Sequence, residues 1–160
     1  MSQYKIDSEN FDKSFKKLLQ LKKGKNIVNG RFDLEPIKLE AKLDFIIHLL
    51  LSSNLIESLT YKILFWEETN KVESLIKSYK KKYSTIISYN NGKLPGIIFI
   101  NEDVLDVLFL KELLINHFNH EMAKNPSLSL RVQICINKED YITLIDIYDD
   151  RGFDIYYLER

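Results

Sequence analysis

The stretch from Leu128 to Tyr157 constrains the fold more than any other part of the chain. Two apolar, β-branched runs, Leu130 to Ile136 and Tyr141 to Tyr148, flank the short polar group Asn137-Lys138-Glu139-Asp140, a pattern that reads as a β-hairpin. A second turn follows at Tyr148-Asp149-Asp150-Arg151-Gly152, with Asp as a side-chain acceptor and Gly where a turn needs positive φ. Phe153 to Tyr157 then resumes a strand pattern. This meander is expected to form the central sheet, with the rest of the chain packed on it.

Length supports that expectation. A chain of 160 residues with 45% hydrophobic content can bury roughly 70% of its unfolded surface in one core and is short for two domains. The fold class expected is α+β: a single domain over residues 1–160, with a mainly antiparallel or mixed sheet, the C-terminal meander and three to four packed helices. Twenty-three basic residues balance 23 acidic ones, so no global field draws the protein to nucleic acid or an acidic membrane. The lone Cys135 sits in an apolar strand run, which excludes an internal disulfide and suits a reducing compartment. No apolar run approaches the roughly 18 residues of a membrane span, and the N-terminus shows no signal-type apolar region. A cytoplasmic location is the expectation.

In chain order, Ser8 to Leu19 carries a cap and an amphipathic stripe, and Gly24 follows two lysines, which predicts a helix over residues 8–22. Ile27 to Leu34 reads as a short strand with Gly30 as a bulge. Pro36 opens a helix to residue 52, whose stripe of Leu39, Leu43, Ile46, Ile47 and Leu50 faces the sheet. A strand over Leu59 to Glu67 leads to a helix capped by Asn70, with Val72, Leu75, Ile76 and Tyr79 on one side and Lys77, Lys80, Lys81 and Lys82 largely on the other. That basic cluster reads as a solvated helix face, since no helix-turn-helix pattern accompanies it. Ser84 to Tyr89, Asn90-Asn91-Gly92 and Gly96 to Ile100 form a second hairpin. Asp103 to Ala123 has helical spacing, although residues 103–110 also fit a buried strand.

The pentapeptide Tyr148-Asp149-Asp150-Arg151-Gly152, followed by Phe153-Asp154, resembles the closing motif of the bacterial domain-of-unknown-function family 3885. The resemblance extends over roughly residues 108–158, through His117-Phe118-Asn119-His120-Glu121-Met122, the Pro126 loop and the two strands, and more weakly to Arg31-Phe32-Asp33-Leu34. It implies a small bacterial cytosolic protein and no particular activity.

Three groups have chemistry to offer. His117, His120 and Glu121 stand at i, i+3 and i+4 on a helix, half of a metal site without a second ligand-rich helix, so neither metal nor cofactor is assigned. His48 lies among apolar neighbours and reads as a boundary histidine. The densest set is acidic: Asp146, Asp149, Asp150 and Asp154, which suits a cation, acid/base work or a basic partner. A plain turn also explains it, with Asp149 capping, Arg151 pairing and Gly152 bending. No Gly-rich phosphate loop, GxSxG elbow or Cys-His pair occurs in the sequence. The expected function is therefore a stoichiometric binding protein of the immunity or antitoxin type, covering a toxin with an acidic, aromatic edge built from Asp149, Asp150, Arg151, Asp154, Tyr156 and Tyr157. The alternative is a metal-dependent hydrolase using His117, His120 and the Asp group. A nucleic-acid binder resting on Lys77 to Lys82 ranks third.

Overall fold

Alternating apolar residues build the sheet, and a helical stripe on each of three helices covers one side of it. The computed structural model describes residues 29–33, 38–51, 58–81, 83–87, 95–137, 141–149 and 151–159. The described strands are β1 (Asn29–Asp33), β2 (Ser58–Phe65), β3 (Tyr83–Ile87), β4 (Gly96–Glu102), β5 (Leu130–Asn137), β6 (Tyr141–Ile147) and β7 (Gly152–Glu159). The described helices are α1 (Leu39–Leu51), α2 (Thr69–Ser78) and α3 (Val107–Glu121). All seven strands join one antiparallel sheet in the order β1-β7-β6-β5-β2-β4-β3. The expected α+β class is thus observed, with the meander β5-β6-β7 running outward from the central strand β5.

Strand alternation sends side chains to two faces. Tyr61, Ile63, Ile100, Val132, Ile134, Ile145 and Ile155 join Ile46 and Leu50 of α1, Val72 and Ile76 of α2 and Phe109, Leu113 and Phe118 of α3 in one buried cluster. The opposite parity supplies a smaller cluster of Phe99, Cys135, Leu144 and Tyr156, to which no helix contributes among the described residues. Both faces of the sheet are therefore buried along β5, where seven of the eight residues are buried although Gln133 and Asn137 among them are polar. Burying a side chain such as Ile134 on the helix face stabilises by about 1.5–3 kcal/mol relative to exposure.

Several local expectations change. The expected helix over 8–22, the Pro36 helix start and the Asn90-Asn91-Gly92 turn lie outside the described residues. Gly30 is not a bulge: β1 pairs with β7 in unbroken register from Asn29–Tyr156 to Asp33–Gly152. The register shift falls instead between Tyr83 and Ile86 on the β3–β4 pair. The ambiguous segment 103–110 divides. β4 ends at Glu102, and α3 starts at Val107 because the carboxylate of Asp106 accepts the Phe109 N–H at 3.0 Å, an N-cap that ties down one orphan donor of the first turn. Gly152 begins the β7 ladder opposite Asp33, so it is a strand residue and not the apex of the turn.

Candidate functional site

The turn before β7 satisfies itself. Asp149 Oδ1 accepts from the Arg151 N–H at 2.9 Å and the Gly152 N–H at 3.1 Å, while Oδ2 accepts from Arg151 Nε at 3.1 Å and Nη2 at 2.8 Å. Burial alone would raise the Asp149 pKa, but the Arg151 guanidinium and these two backbone donors hold it below the usual carboxylate value. The tight bend that the sequence attributes to Gly152 is thus made by one aspartate side chain. Asp150 lies outside the described residues.

Beyond the turn, β7 does not form one edge. β1 covers its outer side, so β7 is an interior strand. Alternation places Asp154 and Tyr156 on the second face of the sheet, whereas Tyr157 packs against the helix-side core. Tyr156 is only 3% exposed, donates its hydroxyl to Asp154 Oδ2 at 3.2 Å, and has its pKa pushed up to about 12 by burial and by the neighbouring Asp154. Asp146 stands opposite Asp154 across β6 and β7 and is held by Arg131 in a two-pronged pair, Nε to Oδ1 at 3.0 Å and Nη2 to Oδ2 at 2.6 Å. That hydrogen bonding raises the Arg131 pKa above its ordinary value despite burial. The aspartates that the sequence groups together therefore serve two separate structural networks, and the expected acidic-aromatic edge is divided between two faces.

The histidines diverge as well. His117 is fully buried in the core side of α3 with its ring 5.4 Å from that of Phe118, and His120 is exposed. The sheet separates the core side of α3 from Asp146 and Asp154, so these groups do not converge on one cleft. Among the described residues no cluster of three or more His, Cys, Asp or Glu is arranged to hold a metal.

A different constellation comes together where α2, β4 and α3 meet. Helix α2 closes with the Lys80 N–H donating to Lys77 O and the Lys81 N–H to Ile76 O, and Lys80 holds φ at 54°. This reversal carries Lys81 off the basic helix face and inward. Its Nζ lies 2.7 Å from Glu102 Oε1 and 2.8 Å from Asp106 Oδ2, and 5.6 Å from the centre of the Phe109 ring. Burial lowers the Lys81 pKa, yet the hydrogen bonds to Asp106 and Glu102 outweigh it and the net direction is upward. The hydrogen bond from Lys81, with the N-cap bond from Phe109, holds Asp106 below the ordinary carboxylate value. Lys81 is therefore a fixed cation and not a base or nucleophile. The other expected members of the basic cluster disperse: Lys77 pairs with Glu73 at 3.7 Å, Lys80 is exposed, and Lys82 lies outside the described residues.

Around this clasp is an open depression of about 500 Å³ lined by Lys81, Asn101 to Glu102 and the loop to Asp106. Three acidic residues, Glu102, Asp103 and Asp106, line it with one lysine, so the depression is acidic. Val104, in its lining, is 75% accessible, and Leu108, on the first turn of α3 just past Asp106, is 70% accessible. Beneath lies Tyr61, whose ring meets Phe109 edge-on at 5.5 Å. Its phenol is held protonated by burial first and then by the charges of Glu102 and Asp106. Sequence reading overlooked this group because its members come from three separate elements; the one local signal is Asp106, three residues before Phe109, in N-cap spacing.

No family model, curated protein or solved structure matches the chain. No helix among the described residues is long and apolar enough to cross a membrane.

Proposed function

We propose that the protein is a stoichiometric binding protein of the immunity or antitoxin type, which neutralises a partner protein by covering a cationic surface. The observation that carries the reading is the acidic depression, with Val104 exposed in its lining and Leu108 exposed on the adjoining first turn of α3. Exposed apolar side chains beside a charged pocket are the usual composition of a contact surface, with a hydrophobic centre and charge-selected neighbours. The lysine within it is locked between two carboxylates, which suits recognition and leaves no activated group for turnover. A nuclease-type toxin, whose phosphate-binding surface must be basic, has the matching chemistry. The contact surface proposed is thus the 102–108 segment and not the turn at Asp149.

The test is co-expression with a candidate nuclease-type effector, followed by capture and cell survival. Leu108→Glu, checked by thermal melting to be as stable as the parent, should lose capture and protection, whereas Arg151→Glu should retain both. Equal protection by the folded Leu108→Glu variant would exclude this surface. A parent protein that captures nothing and protects no cells would end the binding reading.

A further inference from the structure

The acidic depression contains more hydrogen-bonding capacity than the chain uses. Lys81 takes Glu102 Oε1 and Asp106 Oδ2. Glu102 Oε2, although buried, has no hydrogen-bond partner, and neither has the hydroxyl of Tyr61, a residue with no exposed surface. That hydroxyl reaches toward the Asp106 backbone without completing a well-formed bond. Buried oxygens left in this state are rare in folded proteins, because each has given up its water without replacement. One belongs to a carboxylate that holds the Lys81 ammonium, and the other lies beside the Asp106 backbone.

We infer that Lys81 is an internal stand-in and that the site is built for the guanidinium of a partner's arginine, which displaces the Lys81 ammonium and bonds Glu102, Asp106 and Tyr61 together. An ammonium is a compact point charge with three donors, whereas a guanidinium presents five in a planar fork. The fork can span both oxygens of the Glu102 carboxylate and still reach Tyr61. The Phe109 ring, already beside the Lys81 cation, offers a face for a planar cation to stack on. Until it is displaced, Lys81 keeps the Glu102 and Asp106 carboxylates in place at 2.7 and 2.8 Å. The exposed Val104 lines the same depression, so the occupant is an arginine next to an apolar residue in a protein segment. The inference rests on the binding-protein reading for its partner, but not for its chemistry.

Small probes test it without any partner. Blocked arginine, N-acetyl-arginine amide, is titrated into the protein while the resonances of Tyr61 and Phe109 are followed, with blocked lysine as the comparison. Saturable binding is expected, tighter for arginine by about tenfold or more, the worth of one charge-assisted hydrogen bond. Lys81→Met should tighten arginine binding by a similar factor, and Tyr61→Phe and Glu102→Gln should each weaken it. Free L-arginine, whose α-carboxylate meets the same acidic rim, should bind more weakly than the blocked form. The reverse order would assign the site to a free metabolite and overturn the protein partner. Equal affinity for blocked arginine and lysine, or no saturation by either in the parent, overturns the guanidinium site; the parent titration and Tyr61→Phe decide this even if Lys81→Met does not fold. Arginine binding with no effector captured would support the site and remove only the immunity-type function.

Discussion

Among the described residues, two non-glycine positions hold a backbone conformation that side chains disfavour. Lys80 and Ala123 both have φ of 54°, and both follow a helix whose closing N–H groups reach back: Lys81 to Ile76 O at the end of α2, and Lys124 to Asn119 O at 2.8 Å at the end of α3. This helix ending normally takes glycine, which has no Cβ to clash. Lys80→Gly and Ala123→Gly should each stabilise by about 0.5–1 kcal/mol in urea unfolding, the relief of strain exceeding the added freedom of the unfolded chain. Destabilisation by both would show that the side chains compensate for the strain. Gly96 is the converse case. It lies opposite Phe65, and a Cβ there would sit 2.3 Å from the ring, which is itself buried in the core. Gly96→Ala should therefore cost about 1–3 kcal/mol as an overpacking change, measured as a lower denaturation midpoint. An unchanged midpoint would mean that the ring can move aside.

Among the elements, α3 depends on one side chain for two connections. Asp106 caps its first turn through Oδ1 and holds Lys81 through Oδ2, so the same carboxylate starts the helix and fastens it to the end of α2. Its depressed pKa gives a signed expectation. The stabilisation is present above the unfolded value near ~3.9 and is lost as pH falls through the lower folded value. Lys81, raised in the folded state, contributes fully below its unfolded value near ~10.4, and its contribution is lost as pH rises through the folded one. Asp106→Asn keeps a good cap and removes only the charge. It should lower stability by about 1 kcal/mol at neutral pH and flatten the fall in melting temperature between about pH 5 and pH 3. A parent and variant with parallel acid limbs would show that the clasp does not contribute. The elements themselves were legible: β-branched runs mark β5 and β6, and the apolar stripe of α1 buries Leu43, Ile46, Ile47 and Leu50 as its spacing implies. The clasp was not, because spacing along one helix shows that Lys81 is basic and not that a helix ending turns it inward.

At the scale of the whole molecule, contacts distant in sequence decide what local pattern leaves open. β1 pairs with β7, and β2 enters between β4 and β5, so a strand from the first half of the chain lies beside the centre of the C-terminal meander. The meander was readable, but its neighbours were not, and an edge expected at Tyr156 and Tyr157 became an interior strand. This topology makes Cys135 a reporter on the entire sheet. It lies on β5, the middle strand of the seven described, on the face opposite the described helices, and has no exposed surface. A reagent can reach its sulfur only when that face opens, and opening it exposes Phe99, Leu144 and Tyr156 at the same time. Labelling by a thiol-reactive disulfide in native buffer should therefore be slow, and its free energy of opening should fall with urea along the slope of global unfolding. Ile134→Ala, which truncates the adjacent residue on the helix face, should accelerate labelling in proportion to its loss of about 2–5 kcal/mol. Fast labelling independent of urea would show instead that the second face opens by itself, and the two faces of the sheet would then be separate cooperative units.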